Sequence, residues 1–281
     1  MSEQAIGVFD SGLGGLTAVK ELIKVLPQEN IIYFGDTARV PYGTRSDKTI
    51  RKYARQDADF LLSKDVKLII AACGTVSSVA TELYESLPVP FTGVVIPTAT
   101  AAVKATRNGK IGIIGTPATV KSCSYKKEIL KQNDRITVYQ QDCPLFVSLV
   151  ENGFISADDD IVRLVVERYL SEMKQEGIDT LILGCTHFPI IAQAISDYLG
   201  KNVALIDSGK ETALYAANIL GSNNLLNTSS TLGSCSYYVS DTVEGFRKTA
   251  DVFLGKSVED EAVHINIDQL VSADNSVGRQ K

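Results

Sequence analysis

The sequence has no tryptophan, and phenylalanine and tyrosine bring its aromatic content to only 7%. A surface that stacks nucleic-acid bases draws on such residues, so this scarcity argues against one. Positive charge is also in deficit: 28 Lys and Arg against 33 Asp and Glu leave a formal charge of −5. That excludes a phosphate-coating surface, and no nucleic-acid partner is expected. Long apolar runs are missing too. Two apolar-rich stretches without Asp, Glu, Lys or Arg are residues 86–103, broken by Pro88, Pro90 and Pro97, and residues 180–196, which hold His187, Pro189 and Gln193. Neither reads as a membrane span. The opening MSEQAIGVFD lacks the basic and apolar regions of a signal peptide. Five cysteines, at 73, 123, 143, 185 and 235, are odd in number and include no CxxC. Neither a disulfide framework nor a zinc ribbon is indicated, and a reducing, cytoplasmic setting is expected.

What is present is an ordinary globular balance, 44% hydrophobic and 22% charged over 281 residues. At roughly 150 residues per domain that length suggests about two domains. Short apolar runs at 6–9, 31–34, 68–72, 94–96, 111–114, 136–140, 181–183, 204–206 and 237–239 predict strands. Most are β-branched or Leu-rich and nearly continuous, as in parallel strands covered on both faces. Between them, apolar residues at helical spacing predict helices over 48–62, 161–173 and 243–254. The acids Asp158, Asp159 and Asp160 suit the positive end of the second of these. Alternation of this kind predicts an α/β fold with open, mainly parallel sheets flanked by helices. Residues 221–236, rich in Asn, Ser, Thr and Gly, read as a surface loop, and residues 273–281 as a frayed tail.

A faint internal echo runs through the chain. KIGIIGT, ending at Thr116, repeats the shape of AIGVFDS, ending at Ser11; LILGCT, ending at Thr186, repeats IIAACGT, ending at Thr75. The two pairs stand at nearly equal offsets. Two pseudo-symmetric lobes are therefore expected, each with a polar turn and a cysteine at carboxyl ends of its strands, where open α/β sheets bind ligands. Facing each other, such lobes put Cys73 and Cys185 on opposite walls of one cleft.

The stretch Asp10 to Thr17 (DSGLGGLT) follows the first strand and opens a helix. It fails the dinucleotide GxGxxG count, because Thr17 stands where the last glycine belongs, and no P-loop occurs elsewhere. A glycine-rich turn at a helix start still seats a small carboxylate or phosphate. Asp10 at its lip reads equally as a helix cap or as a cleft residue. A single buried cysteine is ordinarily inert packing. Cys73 and Cys185 differ because they occupy matching places in the echo, each beside a threonine, and His187 lies two residues beyond one of them as a proton partner. GDTARVPYG, containing Tyr42 and Gly43, follows the second strand and is either an ordinary loop or one pocket edge with a phenol and exposed N–H groups. Glu151 is either a surface cap or a pocket acid, and Thr116 is a further candidate from the echo. His264 reads as a strand residue, and Cys123, Cys143 and Cys235 as structural.

Two facing acid/base groups suit one kind of reaction. Inverting a carbon stereocentre needs one group to remove a proton and another, across the plane, to return one. A thiol and a thiolate meet that need in either direction, and strand-end N–H and hydroxyl donors stabilise the planar, charge-rich intermediate.

DSGLGGLT, GDTARVPYG and LGCTHFPI, in this order and with a Cys-x-Thr before the last, resemble the glutamate racemases of the aspartate/glutamate racemase family. The likeness spans Ile6 to about Leu254. It implies two lobes: residues 1–97 plus 208–265 carrying Asp10 and Cys73, and residues 98–207 carrying Cys185 and His187, with 266–281 a flexible tail. It implies that Cys73 and Cys185 are the two bases, for D- and L-glutamate respectively, assisted by Asp10 and His187. Ser11, Tyr42, Gly43, Gly74, Thr75 and Thr186 then match substrate-binding positions, with Glu151 an acid near the site. No cofactor and no metal are implied; glutamate is the expected partner, and a homodimer is common in the family. One departure stands out. The family usually reads Cys-Asn-Thr, whereas Gly74 leaves only a backbone N–H there. Three rival readings are a racemase of aspartate or another small amino acid, a two-lobed dicarboxylate-binding protein without chemistry, and a metal or redox site of Cys73, Cys185, His187 and Asp10.

Overall fold

The computed structural model describes residues 3–255 and 262–267. Among the described residues ten strands form two sheets. In chain order they are β1 (Ile6–Asp10), β2 (Ile31–Gly35), β3 (Leu68–Ala71), β4 (Phe91–Gly93), β5 (Lys110–Gly115), β6 (Thr137–Asp142), β7 (Thr180–Leu183), β8 (Ala204–Asp207), β9 (Cys235–Val239) and β10 (Ala262–His264). The first sheet runs β10-β9-β2-β1-β3-β4 and the second β6-β5-β7-β8. Every strand pair is parallel. The central strands β1, β3 and β7 are buried along their whole length, as helices on both faces of a parallel sheet require.

The order β2-β1-β3-β4 in one sheet and β6-β5-β7-β8 in the other is one winding used twice. Under it β1 corresponds to β5 and β3 to β7, the pairing that the repeated sequence strings suggest. In each half the chain moves from the first strand to one side and later returns to the other side. That reversal opens a crevice beyond the carboxyl ends of β1 and β3, and of β5 and β7.

The chain leaves the first sheet through the helix Val95–Ala105 and returns through the helix Ser208–Ser222, and these two helices pack together. The strand expected at 94–96 is absent: β4 ends at Gly93 and these residues begin the helix. Its β-branched run misleads because the tertiary setting decides. Val94 N–H donates to the Ser77 hydroxyl at 3.0 Å. Pro97 stands in the first helical turn, where a missing N–H costs nothing.

Elsewhere local signals hold. Ser46 caps the helix Asp47–Leu62, accepting from Thr49 N–H, and Ile50, Ala54, Ala58 and Leu61 form its buried stripe. Asp159 caps the helix Asp160–Glu176 by accepting from Ile161 N–H at 2.8 Å, and Gly177 ends it in the left-handed conformation. Of the tail expected over 266–281, residues 268–281 lie outside the described residues, and Ile267, within the expected tail, is buried rather than free. One apolar cluster runs from Val8 of β1 to Leu183 of β7 and Phe188, so the two halves share core rather than merely touching.

Candidate active site

The floor of the crevice begins at the end of β1. Asp10 is 1% exposed, and Gly12 N–H donates to its Oδ2 at 3.1 Å. Its other oxygen, also buried, makes no well-formed hydrogen bond among the described residues. Burial pushes the Asp10 pKa up, opposed by the charge of His187 and by the N–H groups of Gly15 and Gly12. The following turn is pinned by the Tyr33 hydroxyl, which donates to Gly12 O at 2.7 Å. It then runs hard against the other lobe. A Cβ on Gly14 would stand 2.1 Å from Thr186 Oγ1, so only glycine fits.

β3 delivers Cys73 as the N-cap of the buried helix Gly74–Val79. Its thiol, 5% exposed, donates to Ser11 Oγ at 3.5 Å. Burial and then the neighbouring Asp10 carboxylate push its pKa up to about 12, against the pull of donors at Ser11 and Val76. Gly74 and Thr75 supply first-turn N–H groups that no helical carbonyl can satisfy.

The second lobe answers from β7. Cys185 is 7% exposed and its sulfur lies 3.8 Å from His187 Nδ1. His187 Nε2 lies 3.0 Å from Glu151 Oε1, at the end of the helix Pro144–Glu151. Burial pulls the His187 pKa down, but hydrogen bonds to Cys185 and Glu151, with the charges of Cys185 and Asp10, push it up to about 10. The imidazole is therefore cationic at neutral pH. From β5, Thr116 caps the helix Pro117–Ser122, and its hydroxyl meets that of Thr75 across the cleft at 2.9 Å.

Ser11, Tyr42, Gly43, Cys73, Gly74 and Thr75 from one side, and Thr116, Glu151, Cys185, Thr186 and His187 from the other, line a single cavity of about 270 Å³. That is near the lower end of the range, about 300–1,000 Å³, of small-molecule sites. Asp10 lies beneath Cys73 and is not part of the lining. His264 sits on β10 at the sheet's outer edge. Cys123, Cys143 and Cys235 do not line the cavity. Among the described residues no group of three or more His, Cys, Asp or Glu is arranged to hold a metal ion.

Tyr42 differs from the expected pocket phenol. Its ring is 1% exposed and its hydroxyl lies between the carboxylates of Asp36 and Asp57, so the 42–43 turn offers the cavity its backbone edge. Arg39 completes this buried cluster, reaching Asp36 at 2.6 Å and Asp57 at 2.9 Å, and Ser240 donates to Asp36 at 2.8 Å. Burial, and then the charge of Asp36, pushes the Asp57 carboxyl well above the usual range. Sequence reading missed the cluster. The signal was an acid inside an apolar stripe, since Asp57 falls on the same helical face as Ala54 and Leu61. It also missed the apolar wall of Pro144 and Val147, with Ser148 beside them.

Residues 10–216 match the model of the Asp/Glu/hydantoin racemase family. The glutamate racemase of Geobacter metallireducens is 46% identical over 261 residues, covering 92% of this chain and 96% of the relative. Among solved structures, the glutamate racemase of Francisella tularensis in complex with D-glutamate superposes with a TM-score of 0.88 at 40% identity, covering 96% of this chain and all of that one. The Thermus thermophilus glutamate racemase in complex with β-chloro-D-alanine gives 0.85 at 42% identity, covering 95% and 99%.

Proposed function

The chain belongs to the Asp/Glu/hydantoin racemase family, and from that premise we propose that it interconverts L- and D-glutamate by passing protons between two cysteines. One observation carries the reading. Two thiols at the ends of equivalent strands, β3 and β7, open into one cavity from opposite lobes, with a carboxylate beside one and a cationic imidazole beside the other.

In the L-to-D direction the Cys185 thiolate takes the α-proton. The C–H electron pair passes into the adjacent carboxylate, and the Cys73 thiol donates its proton to the opposite face. Cys73 is then the thiolate and Cys185 the thiol, the state that takes D-glutamate in reverse. Each residue beside a thiol has one task. His187, held by Glu151 at 3.0 Å, stabilises negative charge at Cys185. Asp10 lies near Cys73, and burial, then the Asp10 carboxylate, keeps that sulfur protonated in the resting state. Backbone N–H groups of Ser11, Gly43, Gly74 and Thr75 on one wall, with the Thr75, Thr116 and Thr186 hydroxyls, surround the carboxylates of the planar intermediate.

The wider parts of the reading follow from the same premise. The two lobes are residues 1–97 plus 208–265 and residues 98–207, a division supported by the two sheets and the two crossing helices. The reaction uses no pyridoxal phosphate and supplies D-glutamate for peptidoglycan. The protein works in the cytoplasm, where its five thiols stay reduced, and as a homodimer. Among the described residues no helix is long and apolar enough to cross a membrane.

The test is circular dichroism of L-glutamate and, in parallel, L-aspartate with pyridoxal-free protein. Decay of the glutamate signal to zero with aspartate unchanged is expected. Decay with aspartate alone assigns the site to the shorter acid, and no decay with either contradicts catalysis.

A further inference from the structure

The two halves of the cleft meet backbone to backbone at the chain neighbours of the two thiols. A Cβ built on Gly74 would lie 2.1 Å from the carbonyl oxygen of Gly184 and 3.2 Å from its carbonyl carbon. Gly74 follows Cys73, and Gly184 precedes Cys185. Both sides of this contact are backbone, so no rotamer change relieves a clash. Gly184 cannot retreat easily either: its N–H donates to Ile114 O at 2.8 Å, and its own missing Cβ would meet that oxygen at 2.6 Å. On the other side, every residue of the helix Gly74–Val79 is buried. Nearby bridges between the lobes, such as the Thr75–Thr116 hydroxyl pair at 2.9 Å and the Thr17 hydroxyl on Thr186 O at 3.2 Å, run through side chains that can follow a small displacement.

We infer that Gly74 is a positioning residue: lacking a Cβ, it lets the two strand-end turns meet backbone to backbone, and this contact sets the separation of Cys73 and Cys185 across the substrate's α-carbon. The inference rests on the two-thiol reading above. Its chemical consequence is specific. Two bases must reach opposite faces of one carbon, and a misplacement of about 1 Å costs on the order of 10²-fold in rate. A side chain at position 74 wedges the lobes apart whatever its chemistry, including the asparagine common in the racemases this chain resembles.

The test compares Gly74→Ala and Gly74→Asn with Gly221→Ala, whose Cβ would meet only Leu226 Cδ1 at an ordinary 3.8 Å. For each variant with native far-UV circular dichroism, kcat and KM for L-glutamate are measured. The rates at which iodoacetamide alkylates Cys73 and Cys185 in the unliganded protein are followed by peptide mass mapping. Both Gly74 variants should lose about 10²-fold in kcat, with a much smaller change in KM, and both thiols should react several-fold faster; Gly221→Ala should match the wild type. A folded Gly74→Ala with wild-type kcat and alkylation rates overturns the inference, as does a Gly74→Asn that equals or exceeds the wild type. Thr75→Val gives an arm that adds no atom at position 74. It removes the hydroxyl bridge while keeping the shape, so alkylation at both cysteines should stay at the wild-type rate; an opened cleft in this variant would assign the spacing to the side-chain bridge instead. Should the wild type itself fail to racemise glutamate, the functional reading falls, while the alkylation rates still decide the contact.

Discussion

The wall that carries Cys73 and the wall that carries Cys185 are built on the same strand order, yet they are charged in opposite senses. Beneath Cys73 lies Asp10, and that thiol is pushed up to about 12 by burial and by the carboxylate. Beside Cys185 lies His187, pushed up to about 10 and therefore a cation at neutral pH. The difference teaches how duplication and divergence divide the work. A repeated fold places two like thiols symmetrically, which a reaction with mirror-image substrates needs. The residues beside them break the symmetry, as the proposed resting state of one thiol and one thiolate requires.

Removing either sulfur should have the largest effect. Cys73→Ser and Cys185→Ser are each expected to lose racemisation by about 10²–10⁴-fold or more from both enantiomers, as judged by circular dichroism. A single variant at the wild-type rate would show that one wall suffices. Next come the partners. Because the enantiomers are equal in free energy, kcat/KM stays equal in the two directions, so the asymmetry must be read from isotope effects. His187→Asn should slow the reaction by roughly 10²-fold and enlarge the effect of α-deuteration in L-glutamate; Asp10→Asn should enlarge it in D-glutamate. Equal effects on both enantiomers would dissolve the assignment of partners to walls.

The pH dependence sharpens the same contrast with a smaller effect. His187 is raised above its ordinary 6.5, so its cation persists through neutrality and is lost as pH rises through about 10. Its contribution to stability is full below 6.5 and is lost progressively as pH rises from there through about 10, whereas its contribution to activity holds until the folded-state cation itself titrates near 10. A pH–rate profile should show an alkaline limb near 10 that His187→Asn abolishes. The least effect on catalysis is expected at Tyr42→Phe. The phenol serves the buried Asp36–Asp57–Arg39 cluster, so its loss should cost about 1–3 kcal/mol of stability in thermal unfolding, with kcat changed little.

Much of this contrast was legible in the residues. The strands ending at Asp10, Cys73 and Cys185 announce themselves as apolar runs closed by small polar turns, because a parallel strand buried on both faces leaves no room for polar residues until it ends. The echo between the two halves survives for the same reason. Other features were hidden by the distance in sequence between the partners. Residues 94–96 read as a strand because their helix start depends on the Ser77 hydroxyl and on the crossing between sheets. The Tyr42 phenol looked free because Asp57 and Ser240, which close its cluster, lie elsewhere in the chain. Gly74 looked like a lost side chain; only the folded chain reveals that Gly184 O stands where its Cβ would be.

The most direct test of a proton removed by one wall and returned by the other is isotopic. L-Glutamate is incubated in D₂O and sampled while only a small fraction has turned over, with α-deuterium measured separately in the two enantiomers. Two thiols on opposite faces predict that the new D-glutamate carries solvent deuterium while the remaining L-glutamate keeps its proton. D-Glutamate that retains the original proton, or deuterium appearing equally in both enantiomers from the start, would mean that a single base serves both faces.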